Sequence, residues 1–249
     1  MHRLPLRYYH WQYVWIPLVA AGVWFGSLLA MLIVYLASGR PKYVSQEGNI
    51  AYISDVGASG LKPLFVTACA ITAVGFFLSL VVERILRHTG RLVPDMRTRE
   101  HVLSILAIIG SFIGGCGLLL LSILDTKRHS TAHRVCLLIF IVGIALSAIF
   151  SIIEYRLLQK DFPDYTTIRI AYIAKGLIAT ILILLAIAFG ITLRVAQDVG
   201  AILEWIIAFG FTLYLLVFYY DLRLSKNVEG GQLRQLVHPS QSAEMTEIS

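Results

Sequence analysis

Six long stretches of this chain carry no charged residue: Val14–Ser38, Leu64–Val82, Val102–Leu124, Val135–Ile153, Gly176–Leu193 and Trp205–Tyr220. A helix needs about 20 apolar residues to cross the hydrocarbon core of a bilayer, with a range of roughly 17–25. The first four stretches meet that length as they stand. The fifth reaches it by extending back through Lys175 to Arg169, and the sixth by starting near Val199, which places Glu204 inside a span. Only helices and closed barrels satisfy backbone polar groups in lipid. A barrel shows short segments of alternating polarity, whereas these runs are continuously apolar. The expected fold is therefore all-α, a polytopic bundle of six transmembrane helices.

Composition agrees and excludes other classes. The 249 residues are 57% hydrophobic and 14% charged, against about 25% charged in a soluble domain. Disordered, fibrous and ordinary soluble classes are ruled out. The first span is too long for the apolar core of a signal peptide and lacks a small-residue cleavage site, so it is expected to be retained. Tyr8, Tyr9, Trp11, Tyr13 and Trp15 precede it as an aromatic belt. Cys69, Cys116 and Cys136 each fall inside an apolar run and read as small residues at helix contacts. Gly22/Gly26, Gly110/Gly114 and Gly115–Gly117 supply small residues at helical spacing, so the first and third spans are expected to pack closely.

Basic residues sort the segments between spans. If the N-terminus is cytosolic, the inner segments hold 13 Lys and Arg and the outer ones 7. That split favours cytosolic termini on both ends. The net charge of +6 then reads as orientation and attraction to anionic lipid, not nucleic-acid binding. Residues 1–224 form one membrane domain on this reading, and the polar segment 225–249 a short disordered cytosolic tail.

The topology gathers distant polar residues. Asp55, Asp125, His133 and Glu204 collect at the outer ends of the helices, as a structural cluster or a lipid-headgroup site. The pairings it permits are Asp55 with Lys62 or Arg194, and Glu204 with His133. Asp125, His129 and His133 are spaced by four, which on one continuous helix would suit a metal ion. Ser130 or Thr131 reads instead as the N-cap of the fourth span, which breaks that continuity, so no metal site or cofactor is assigned. At the inner face Arg84, Arg87, Arg91, Arg97 and Arg99 form a basic loop that sets topology and attracts anionic lipid, phosphoinositides among the candidates. Lys175, inside the fifth span, either snorkels to the interface or pairs with Glu154 on the fourth. No Ser-x-x-Lys, Gly-x-Ser-x-Gly or Gly-rich phosphate loop is present, so no catalytic residue is assigned and the chain is read as not an enzyme.

Tyr52-Ile53-Ser54-Asp55-Val56-Gly57, with Pro63 opening the second span, resembles the signature of Frag/DRAM/Sfk-type membrane proteins. Asp125 closing the third span, His133 opening the fourth and Glu204-Trp205 in the sixth extend the resemblance over about residues 14–224. Ser-Asp-Val-Gly is closer to the Sfk and DRAM branches than to the glycosylphosphatidylinositol (GPI)-remodelling branch. The resemblance implies a non-enzymatic role in lipid organisation. An Sfk-type protein acts at the plasma membrane, supporting a phosphatidylinositol 4-kinase complex and lipid asymmetry between leaflets. The alternatives are a DRAM-like autophagy modulator at the lysosome or vacuole, or a remodelling enzyme that uses the outer cluster. Transport is disfavoured, because no span carries a charge at its centre.

Overall fold

The computed structural model describes residues 12–93, 98–161 and 166–225. A 3-10 turn at Gln12–Val14 leads into α1 (Trp15–Ala37). A loop containing the short helix α2 (Ile53–Gly57) follows, then α3 (Lys62–His88), α4 (Thr98–Ile123), α5 (Ser130–Asp161), α6 (Thr166–Val195) and α7 (Gln197–Arg223). No strand occurs among the described residues. All helices except α2 are long and apolar enough to span a membrane, giving six spans of 26 to 31 residues.

Several spans outrun the charge-free stretches that announced them. Helix α3 continues to His88 rather than Val82, and α5 to Asp161 rather than Ile153. The added turns carry Glu83, Arg87, Glu154 and Tyr155, whose side chains find partners inside the bundle. Charge therefore does not end these helices. Pro63 sits in the first turn of α3, where its missing N–H costs nothing. At the other end Gly90 takes φ 69°, a left-handed turn that lets the Arg91 N–H reach the Leu86 carbonyl at 2.9 Å.

The spans form a closed ring in the order α1, α3, α4, α5, α6, α7 and back to α1, and α3 also touches α7 across it. Aromatic rings fill the middle. Phe76 of α3 lies 5.7, 6.0 and 5.5 Å from Phe211, Tyr214 and Phe218 of α7. The Trp24 indole donates to the Ala208 carbonyl at 2.8 Å, tying α1 to α7. Large apolar side chains such as Phe112, Leu138, Leu184 and Ile191 point outward, as a lipid-facing surface requires.

Small residues do set one close contact, though not where both glycine pairs predict it. A Cβ at Gly143 of α5 would fall 2.6 Å from the Gly114 nitrogen of α4, and one at Gly117 would fall 2.7 Å from the Phe140 nitrogen. Helices α4 and α5 thus touch backbone to backbone. Gly22 and Gly26 of α1, by contrast, face open space. The first span instead approaches α3, with Ala20 against Gly75. Cys69 and Cys136 are buried, but Cys116 is exposed on the outer surface of α4 and is not a helix-contact residue. Arg97 and the tail residues 226–249 lie outside the described residues.

Candidate functional site

Polar side chains gather at the two ends of the bundle. At the end covered by α2, the loop from Tyr43 to Gly57 is stitched down by the first two turns of α7. Asp198 accepts hydrogen bonds from the Asn49 backbone N–H at 2.5 Å, the Asn49 side-chain amide at 2.9 Å and the Ile50 N–H at 3.0 Å. The Glu204 carboxyl accepts from the Ile53 N–H at 2.6 Å, and the Trp205 indole donates to the Ala51 carbonyl at 3.1 Å. The Tyr52 hydroxyl donates to the Gln197 carbonyl at 2.9 Å. Burial, with Glu204 nearby, pushes that phenol up to about 12. Asp55 occupies the third position of α2 and reaches back to the Tyr52 N–H at 3.1 Å, a side-chain cap for a helix of only five residues. Its other oxygen accepts from the Ser45 hydroxyl at 2.5 Å. Burial raises Asp55 above the usual carboxylate range.

Asp125 and His133 belong to the same end and do a related job. The Lys62 ammonium lies 2.6 Å from Asp125 and also donates to the Ile123 carbonyl at 3.1 Å. That contact holds the Asp125 carboxyl below its ordinary value. Asp125 also accepts from the Arg128 N–H at 2.8 Å. His133 Nδ1 lies 2.8 and 3.0 Å from the Leu121 and Leu124 carbonyls. It donates there and so closes the exposed C-terminus of α4. The four residues singled out from the sequence share one end of the bundle, but the pairings differ from those anticipated. Asp55 pairs with neither Lys62 nor Arg194, and Glu204 does not pair with His133. All four cap or anchor backbone groups, because helix ends and a folded loop leave orphan N–H and C=O groups that must be met. Helix α5 begins at Ser130, so Asp125 and His129 do not share a helix with His133. No group of metal-ligating side chains occurs among the described residues.

The opposite end holds a buried ionic network. Lys175 of α6 is fully buried, with its ammonium 2.6 Å from Asp221 of α7 and 3.4 Å from Glu83 of α3. It also stands 3.9 Å from the centre of the Tyr155 ring and 4.3 Å from that of Phe218. Arg87 is bound to Glu83 at 2.9 Å and to Glu154 at 3.3 Å, and lies 4.7 Å over the Tyr155 ring. The Tyr155 hydroxyl donates to Glu83 at 2.6 Å. Four helices, α3, α5, α6 and α7, are thereby clamped together. Lys175 neither snorkels nor pairs directly with Glu154; its partners are Asp221 and Glu83, and Glu154 answers to Arg87.

The basic loop divides accordingly. Arg87 is only 4% exposed and belongs to the network, not to a lipid-facing surface. Arg84 contacts His101, Arg91 lies 5.9 Å over the Tyr13 ring, and Arg99 is exposed. Glu83, Tyr155 and Asp221 are network members that hydropathy alone does not single out, since each lies just past the end of a charge-free stretch. The signal was present in Glu83 and Arg87, an i,i+4 pair on the apolar side of a span.

A family model, the Frag1/DRAM/Sfk1/Cwh43P N-terminal domain, matches residues 12–225. The chain belongs to that family. It is 29% identical to Protein sfk1 of Schizosaccharomyces pombe, covering 87% of this chain and 65% of the relative. It is 25% identical to Protein SFK1 of Saccharomyces cerevisiae, covering 91% of this chain and 80% of the relative. The chain thus spans slightly less than two thirds of the fission-yeast protein's length. No solved structure matches. In this member of the family the Ser54–Gly57 segment is α2 itself, buried throughout, and the Glu204-Trp205 pair is what holds the strand of chain leading into it.

Proposed function

We propose that this protein is a non-enzymatic membrane regulator of lipid organisation and phosphoinositide signalling, working with a phosphatidylinositol 4-kinase complex at the plasma membrane. One observation carries the non-catalytic part. The acids and imidazole of the α2 end are occupied as caps, anchors and ion-pair partners. The Ser45 hydroxyl does donate to Asp55, but that carboxyl is committed to capping α2 through the Tyr52 N–H, and among the described residues no imidazole bonds to either of them as covalent catalysis on a serine would want. Membership in a family that includes the Sfk1 proteins supports the signalling part. Arg91 and Arg99 stand at the end opposite α2, the end that the distribution of basic residues assigns to the cytosol. Each basic residue there contributes about 1 kcal/mol of attraction to an anionic leaflet.

Deletion of the gene is expected to lower plasma-membrane phosphatidylinositol 4-phosphate and to disturb leaflet asymmetry. Unchanged levels of both would refute the reading. A fluorescent fusion should mark the plasma membrane. Exclusive labelling of lysosome or vacuole would move the protein to the DRAM-like branch.

A further inference from the structure

A cavity of about 120 Å³ lies inside the ring, between α5, α6 and α7, and is open on one flank. Its wall is largely apolar, with Ala145, Ile183 and Ile207 among its residues; the residues with polar atoms are Glu204 at the end nearest α2, Trp24, whose indole is spent on Ala208, and Tyr214. Ile53 and Phe65 close it above that carboxyl, and Tyr214 closes it below. Helices α5 and α6 pack together at the far end through Tyr155, Leu158 and Ala171. The cavity lies between them nearer α2, so its open flank faces sideways into the bilayer.

Dimensions and chemistry narrow the occupant. Glu204 and Tyr214 are ten residues apart on α7, about 15 Å of helix, which is half of the ~30 Å hydrocarbon thickness. The space therefore reaches to the depth of one leaflet. Since a cavity of about 150 Å³ holds a benzene-sized group, it takes a segment of a lipid chain entered with its head toward α2, the rest of the chain lying in the open flank. Glu204 accepts a single hydrogen bond, from Ile53, and no cation pairs with it among the described residues. A carboxyl group has several acceptor sites and, when protonated, a donor, so capacity is left over on the cavity side. A hydroxyl satisfies it in either protonation state. A phosphate does not: it is anionic, and Glu204 has no cation beside it among the described residues to offset the repulsion between them.

We infer that this cavity is a lateral binding site for a neutral lipid with a hydroxyl head, its chain between α5 and α6 and its hydroxyl on Glu204. The inference deepens the lipid-handling reading but does not require the kinase link. The binding assay below reads the isolated protein, so its failure and that of the signalling reading are separable.

The test uses the purified full chain in phosphatidylcholine nanodiscs. Two photoactivatable probes carry the same diazirine acyl chain, one on a diacylglycerol and one on phosphatidylcholine. The diacylglycerol probe is expected to label peptides around Ala145, Ile183 and Ile207, and unlabelled diacylglycerol should compete it away. Glu204→Gln should lower the preference for diacylglycerol over phosphatidylcholine roughly tenfold, the equivalent of one hydrogen bond to a charged group. Ala145→Trp and Ile183→Trp fill the space from different helices and should each reduce labelling to that of the outer face; whichever stays folded by thermal unfolding suffices. Equal labelling by both probes, or labelling that survives competition and both tryptophans, overturns the site.

Discussion

Lys175 offers the sharpest test of how this bundle is held together. Its ammonium is fully buried, 2.6 Å from Asp221 and 3.4 Å from Glu83. Lys175→Met keeps the length and apolar stem but removes the charge. Asp221 and Glu83 are then left in a low-dielectric interior, with Arg87 as the nearest cation. Removing one partner of a buried ion pair costs about 3–5 kcal/mol, because the other charge remains uncompensated. For a chain of this size each kcal/mol moves the unfolding midpoint by roughly 2–4 °C, so a loss on the order of 10 °C is expected for the protein in nanodiscs. Asp221→Asn in the same chain removes the stranded charge and should recover at least half of that loss, a coupling of about 2 kcal/mol. Glu154→Gln combined with Lys175→Met should not recover it, since Glu154 is bonded to Arg87. A midpoint within about 2 °C of wild type for Lys175→Met, or rescue by Glu154→Gln equal to that by Asp221→Asn, would refute the pairing.

Glycine positions should separate cleanly. Gly114→Leu forces a side chain into the backbone of Ile144 and is expected to cost more than the ~1–3 kcal/mol typical of overpacking, whereas Gly22→Leu, facing open space, should leave the thermal midpoint unchanged. His133→Ala leaves the carbonyls of Leu121 and Leu124 without their donor and should destabilise by about 1–3 kcal/mol, read as earlier unfolding and faster amide exchange at the end of α4. Opposite pH responses are expected at two carboxyls. Asp55 is raised by burial, so its contribution is present in full below its unfolded value and fades as pH rises through the folded one; Asp125 is lowered by Lys62, so its contribution is present above the unfolded value and fades as pH falls through the folded one. Thermal midpoints between roughly pH 3 and pH 7 should therefore lose the rising-pH penalty in Asp55→Asn and the acid-side loss in Asp125→Asn; parallel profiles for both variants would contradict the assignment.

The parts of this molecule that sequence alone reveals are those that depend on one helix at a time. Six spans, their approximate ends and the gathering of Asp55, Asp125, His133 and Glu204 at one end all follow from hydropathy and direction of travel. Partner choice depends instead on which helices meet, and the ring closes in a way that chain order does not specify. Chain order makes α5 the neighbour of α6, and Glu154 the natural acid for Lys175. Chain order equally makes α7 the other neighbour of α6, and the contact of α3 with α7 across the ring brings in a third helix, so Asp221 and Glu83 reach Lys175 first. The charge-free stretches of the second and last spans end at Val82 and Tyr220, each one residue short of its acid. The same closure explains why Gly22 and Gly26 face outward while Gly114 meets Gly143: spacing marks a surface that can be approached, and only the ring decides whether a helix approaches it.

Glu204 is satisfied differently from the carboxyls of the ionic network. Glu83, Glu154 and Asp221 lie in an enclosed network with Arg87, Lys175 and Tyr155, and removing any member strands another. That network clamps four helices at the end opposite α2. At the α2 end the clamping is done by backbone contacts: Asp198 on the loop, His133 on the end of α4, Glu204 on Ile53. Glu204 differs from the enclosed acids in having no cation among the described residues and a cavity on its free side. A purely structural anchor for the Ile53 N–H needs one neutral acceptor, which Gln supplies as well as Glu. Glu204→Gln should therefore leave folding nearly unchanged while altering lipid selectivity. A large loss of stability in that variant would instead place the carboxyl's role in the scaffold alone.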